Sequence, residues 1–215
     1  MTNQTITLNG KTYELTNILS SINNNPVVYL RELPSSPLKE EFPKVFEIKR
    51  IFAMPNHLTF DIKPIKELLD RYVIDGKGWI DPFANNSERT EYSNDLNPDC
   101  KTKYHLDAFE FVEQLEGKYH GVLFDPPYSM HQTNQMYKGY GLRKQVSVIM
   151  DILSNKIEVG GFAISFGWST NGFGKSRGFE IVEILLVAHG GSHNDTTCVV
   201  ERKVDYAEKI RGESK

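Results

Sequence analysis

Gly121-Val122-Leu123-Phe124-Asp125-Pro126-Pro127-Tyr128 is the stretch that decides how the rest of the chain is read. Its first four residues form a short apolar run of the kind a strand buried on both faces requires. Two prolines then end it, because proline has no N–H to give to a ladder and its φ is fixed. A carboxylate (Asp125), a carbonyl (Pro126) and an aromatic ring (Tyr128) are therefore expected in fixed relation just beyond the carboxyl end of a buried strand.

Working outward, helical and extended patterns alternate. Upstream, Ile65, Leu68, Leu69 and Tyr72 recur at helical spacing with Pro64 in the first turn, and Gly76 and Gly78 close that helix. Strands are predicted over residues 78–83, 90–96 and 103–106, and a helix over 108–115. Downstream the pattern predicts a helix over 146–157 and a strand over 161–166. Two further strands, 179–188 and 196–201, are joined by the turn Gly190-Gly191-Ser192. Strands alternating with helices predict an α/β, Rossmann-like fold with a mainly parallel sheet and an antiparallel last strand. The first fifty residues differ. Alternation around Asn9-Gly10 predicts a β-hairpin, residues 27–33 a second extended run, and the three prolines of residues 34–43 a linker. The expected division is a small β-rich extension over 1–54 and a main domain over 55–215.

Composition excludes several classes. The 215 residues are 39% hydrophobic and 25% charged, with no run approaching the eighteen or so apolar residues of a membrane span. Cys100 and Cys198 are far apart and read as reduced thiols; with a polar, uncharged start at residues 1–10, a cytoplasmic protein is expected. The net charge of −3 and pI of about 6.1 exclude coating of nucleic acid by charge alone. Between His131 and Arg177, however, six basic residues face two acidic ones, a local balance of +4. Such a patch can meet phosphates, or it can be a solvated face.

In parallel sheets, ligands bind beyond the carboxyl ends of the strands. Those positions hold Asp81, Asp95, Asp107 and Asp125. One reading is local, since aspartates cap helices and bind loop amides. The other is a polar crevice for a ligand carrying a ribose, an amine and a cation. Asp125-Pro126-Pro127-Tyr128 favours the second. An amine conjugated to a base ring is a poor nucleophile, and two acceptors on its hydrogens keep lone-pair density on nitrogen while a stacked ring holds the base plane. Reaching such an amine in a duplex requires the base to leave the stack, and Tyr128 is placed to receive it.

On these residues the chain resembles the amino-methylating DNA methyltransferases, and among them the small adenine-N6 type carried by phages and prophages, over about residues 50–203. Phe60-Asp61-Ile62-Lys63-Pro64 resembles their cofactor-binding segment ahead of the first strand. Trp79-Ile80-Asp81-Pro82-Phe83-Ala84 is similar to the motif that wraps the methionine part of the cofactor. Asp95-Leu96-Asn97-Pro98 looks like the motif holding the ribose, and His105-Leu106-Asp107-Ala108 like the one touching adenine. Asp125 to Tyr128 resembles the catalytic motif, and Gly160-Gly161-Phe162 through Ser165 the fifth-strand segment. The resemblance implies S-adenosylmethionine as cofactor. It implies Phe60, Lys63, Pro64, Asp81, Pro82, Phe83, Ala84, Asn85, Asp95, Leu96, Asp107, Ala108 and Asp125 as its contacts, and Asp125, Pro126, Pro127 and Tyr128 as catalytic residues. DNA is the implied partner, with protection by restriction-modification a role known to such enzymes. RNA and cytosine-N4 amines share the motif and stay open, as does a catalytically weak subunit of a methyltransferase complex.

Two departures shape the expectations. The first motif continues as Asn85-Asn86-Ser87 where the family has a glycine-rich loop, and asparagine tolerates left-handed backbone. Only fourteen positions separate Asp81 from Asp95, so the first crossover is rudimentary. There is also no large target-recognition domain. Recognition would come from residues 1–54, from the loop 129–143, or from a homodimer or partner subunit. In and after that loop, Tyr137, Tyr140, Arg143 and Lys144, with Lys175 and Arg177, are the expected nucleic-acid contacts. Gly174-Lys175-Ser176 is not a phosphate loop, because residue 169 is serine where glycine is needed. Gly139-Tyr140-Gly141 lacks a preceding strand. His189 and His193 flank a glycine turn, so they are expected to satisfy local hydrogen bonds rather than to bind metal with Cys198.

Overall fold

The computed structural model describes residues 46–127, 146–191 and 193–205 in full, and the backbone alone of residues 142–145 and of five short strands before residue 33. The chain divides into two compact units, Met1–Lys44 and Val45–Lys215.

In the first unit, β1 (Thr5–Leu8) pairs antiparallel with β2 (Lys11–Thr16), and Leu8 opposite Lys11 leaves the two-residue connection that the Asn-Gly pair predicted. β3 (Ser21–Ile22) and β4 (Asn25–Pro26) form a separate two-stranded ribbon. β5 (Tyr29–Glu32), within the second extended run, adds to β2. The linker at 34–43 lies outside the described residues.

The second unit is built on a seven-stranded sheet. Its elements are β6 (Glu47–Phe52), α1 (Lys63–Tyr72), β7 (Trp79–Asp81), β8 (Tyr92–Ser93), α2 (Ala108–Gln114) and β9 (Tyr119–Phe124), then α3 (Leu142–Lys156), β10 (Ile157–Gly167), β11 (Phe179–Ala188) and β12 (Thr196–Lys203). The strand order is β6-β11-β12-β10-β9-β7-β8, and β12 alone runs antiparallel to its neighbours. This is the Rossmann-like α/β sheet expected.

The apolar run of β9 is explained by cover on both faces. Leu123 joins Ile164, Leu185 and Val200 in a core closed by Ile65, Leu68 and Leu69 of α1. Val122 joins Ile80 and Ala163 beneath Phe111 and Val112 of α2 and Ile149 and Leu153 of α3. Each large side chain so buried contributes roughly 1.5–3 kcal/mol.

Two expectations are corrected. Residues 103–106 are not a strand: they make one parallel bridge, Asn94 with Tyr104, and Lys103, Tyr104 and His105 are all exposed. Leu106 alone of the four is partly buried, and the segment is held by the buried Asn94, whose amide donates to the carbonyls of Pro82 and Leu106 and accepts from the Leu106 N–H. The seventh strand comes instead from β6, on the opposite edge, parallel to β11. The division therefore falls after Lys44 rather than at 54. An edge strand is exposed along its length, and Glu47-Ile48-Lys49-Arg50 lacks the buried alternation that marks an inner strand.

Candidate active site

The carboxyl edge of the parallel strands carries a cavity of about 530 Å³, within the usual range for small-molecule and cofactor sites. Its walls follow the strand order: Asp95 beyond β8, residues 83–89 beyond β7, Asp125, Pro126 and Pro127 beyond β9, Gly167 and Trp168 at the end of β10, and Thr196 at the start of β12. Residues 57–61 close it. Phe60 is held by its tilted packing on Phe166, and Phe83 by an edge-on contact with Phe124.

The loop after β7 is made by turn chemistry. β7 and β8 are joined with no helix, as the short spacing required. Asn85 takes a left-handed φ of 50°, unique to it among the described non-glycine residues, so it does stand where a glycine is usual. Its N–H donates to Asp95 Oδ2 at 2.9 Å, while Asn97 N–H donates to Asp95 Oδ1 at 2.9 Å. The Asp95 carboxylate, to which the Cys100 thiol also donates, is thereby fixed on the cavity wall.

Asp81 is fully buried. Its Oδ1 accepts the Phe83 N–H at 3.1 Å, and its Oδ2 has no hydrogen-bond partner among the described residues. Burial drives its carboxyl well above the usual carboxylate range, and the charges of Asp125 and Asp95 act in the same direction. Asp125, beside it in charge contact, has its carboxyl pushed up to about 6 by burial, against a hydrogen bond from the Thr59 side chain that lowers it.

The cavity thus gathers Phe60, Phe83, Ala84, Asn85, Asp95, Asp125, Pro126 and Pro127 of the residues expected from sequence. It does not gather the others. Lys63 is exposed at the start of α1, 4.0 Å from Glu67, and Pro64 is buried in that helix's first turn. Pro82, Leu96 and Ala108 lie off the lining, and Asp107 caps α2 by accepting the Phe109 N–H at 2.9 Å. Tyr128, Tyr137 and Tyr140 lie outside the described residues, as do the side chains of Arg143 and Lys144. Lys175 is exposed on a single 3-10 turn, Lys175–Arg177. Arg177 faces inward: it donates to Asp151 Oδ1 at 2.6 Å, to Phe173 O at 3.1 Å and to Ser147 Oγ at 2.9 Å. His189 is buried and hydrogen-bonds Thr196 Oγ1 and Ala53 O, both at 2.8 Å; the first is the local bond expected of it, and the second reaches across to the residue after β6. Because a carbonyl only accepts, Nδ1 carries the proton in that arrangement. Cys198 sits in the core.

Thr59, Arg89, Trp168 and Thr196 line the cavity without having been anticipated. The strand-end rule, extended to the fifth strand, finds Trp168. It cannot find Thr196, because an antiparallel strand presents its amino end at this edge.

No protein-family model matches the sequence, and no curated protein matches it. Among solved structures, TrmN from Thermus thermophilus matches at 13% identity and a TM-score of 0.44, over 66% of this chain and 49% of its own, so the present chain spans about half of it. A precorrin-6y C5,15-methyltransferase from Geobacter metallireducens GS-15 matches at 13% identity and 0.47, over 71% and 94%. A 1,6-didemethyltoxoflavin-N1-methyltransferase from Burkholderia thailandensis, solved with S-adenosylhomocysteine, matches at 11% and 0.46, over 66% and 78%. Likeness at this level assigns neither an activity nor a substrate.

Proposed function

We propose that this protein transfers a methyl group from S-adenosylmethionine to an exocyclic amine of a nucleobase, with adenine N6 in DNA as the acceptor. The observation that carries the reading is one continuous cavity joining a backbone-braced acidic side chain, Asp95, to the Asp125-Pro126-Pro127 edge. The donor set fits the cofactor. Asp95 offers two oriented acceptors for the hydroxyls of a ribose. Asp81 does not line the cavity; fully buried, it braces the wall by accepting the Phe83 N–H. Phe60 and Phe83 supply apolar wall.

The cofactor supplies an electrophilic methyl group. The chain's part is to hold and polarise the amine. Asp125 and the Pro126 carbonyl accept its two hydrogens, so the nitrogen lone pair is left to attack rather than to conjugate into the ring. For that the Asp125 carboxyl must be ionised, which the value of about 6 allows at neutral pH. Thr59, donating to the same carboxylate, sets its direction. The closing proton goes from the amine to Asp125 or to water.

Incubation with labelled cofactor and duplex DNA, single-stranded DNA or structured RNA tests the reading. Label in DNA adenine is expected. Label in RNA alone, or in cytosine, would move the acceptor while keeping the chemistry. A chain that binds no S-adenosylmethionine in calorimetric titration would be the structural subunit of a complex instead. Target recognition is proposed to come from residues 1–44, from the segment before α3, or from a second chain.

A further inference from the structure

We propose that the acceptor base is held on the β10–β12 side of Asp125, stacked against the indole of Trp168. This rests on the reading of the site just given and sharpens it by naming the stacking surface. The strand order supplies the first argument. Along the edge β12-β10-β9-β7-β8, Asp125 is central, and Asp95 with the Asn85 loop occupies the β7–β8 side. If cofactor fills that side, the base must approach from the other, where the lining includes Gly167, Trp168 and Thr196. Ser165 pairs with Phe124, the last pair of the parallel ladder, and beyond it Asp125, Pro126 and Pro127 line the cavity together with Gly167 and Trp168. Two described aromatics line that side, Phe60, which is buried against Phe166 of β10, and Trp168, which is exposed.

Its exposure supplies the second. Tryptophan is highly buried on average, yet Trp168 is 62% exposed at the cavity mouth. The third argument is that the segment carrying it is braced. Between β10 and β11 there is no α-helix, only residues 168–178. Phe173 plugs this segment into the core against Phe124 and Phe179. The buried Glu201 of β12 accepts the N–H groups of Phe173 at 2.6 Å and Gly174 at 2.8 Å. Arg177 ties it to α3 through Asp151 and Ser147, and Lys203 donates to Arg177 O at 2.6 Å. An aromatic side chain on an anchored loop is a preorganised platform, and a base presents a π-face to it whatever its sequence context.

Trp168→Ala and Trp168→Phe test this, because an exposed site can be changed without loss of the fold. In Trp168→Ala the KM for nucleic acid should rise about ten-fold or more, with S-adenosylmethionine affinity within two-fold of the parent. Trp168→Phe should recover most of the loss. Emission gives a readout independent of turnover. The chain has two tryptophans and Trp79 is buried, so a saturating adenine-containing oligonucleotide should quench the parent and leave Trp168→Phe unchanged. An unaltered KM in Trp168→Ala, or an unquenched parent, overturns the stacking role while leaving the methyl transfer intact. An equal fall in cofactor affinity overturns the placement, since it puts Trp168 on the cofactor side. A parent that methylates no nucleic acid overturns both this inference and the reading beneath it.

Discussion

The two sides of the cavity are built by different means. On the β7–β8 side the fixing contacts span two to fifteen residues: Asp81 binds Phe83 N–H, Asp95 binds the N–H groups of Asn97 and Asn85, Asn94 binds Pro82 O and Leu106, Lys101 N–H binds Asn86 Oδ1, and Asn85 turns the chain with its own positive φ. On the β10–β12 side the contacts join residues far apart in sequence. Glu201 reaches back to Phe173 and Gly174, and His189 bridges Ala53 and Thr196. Local turns fix a site from the chain itself, whereas distant braces fix it only after the sheet has formed.

Asp125, at the seam, is where the largest effect is expected. Asp125→Ala should lower methyl transfer by about 10³-fold or more while cofactor affinity stays within a few-fold, because the carboxylate acts on the amine. Loss of both in equal measure would erase the distinction between the two sides. The parent's pH–rate profile should show an acid limb near 6, well above that of an ordinary aspartate. The stability sign is opposite. A carboxyl raised on folding contributes stability in full below its unfolded value of about 3.9, and that contribution is lost as pH rises through about 6. Asp125→Asn should therefore gain up to about 3 kcal/mol over the parent at pH 8, the gap closing near pH 4 in denaturant titrations.

Asp95→Ala comes next. Removing a braced carboxylate should weaken S-adenosylmethionine by about 10- to 100-fold and change the KM for nucleic acid little, as read by calorimetry and steady-state kinetics. On the other side, Gly172→Ala would place a Cβ 2.0 Å from Glu201 Oε2. It should cost about 1–3 kcal/mol in thermal unfolding and raise the KM for nucleic acid, with cofactor affinity preserved. If cofactor affinity falls first, the brace does not serve the base side. The smallest effect is expected at Asn85. Asn85→Gly should be near neutral, and Asn85→Ala should lose about 1 kcal/mol, because alanine lacks asparagine's tolerance of the left-handed region.

The same contrast explains what could be read in advance. Asp125-Pro126-Pro127 was legible because proline's geometry travels with the residue, and Asn85 because its tolerance of positive φ does. The helix at 63–72 was legible because burial of one face imposes a period, and the strands at 79–81, 119–124 and 179–188 because burial on both faces makes a short apolar run. Asp107 lies off the cavity lining and caps α2, the local role that an aspartate after an extended segment serves equally. The segment 103–106 was misjudged because its apparent strand depended on Asn94, whose side chain makes the bonds that a further strand would otherwise make. β6 was assigned to the extension because an edge strand shows no buried alternation.

By itself the sequence determined a mainly parallel sheet, its single antiparallel strand, and a rigid acidic strand end. Periodicity and proline geometry are properties of short stretches, and they need no partner to be recognised. Tertiary structure alone decided that Trp168 and Thr196 share a wall with Asp125, that Arg177 faces inward, and that β6 completes the sheet. Those outcomes depend on which strands become neighbours and on which amino end an antiparallel strand brings to the edge, and no local pattern of residues encodes that.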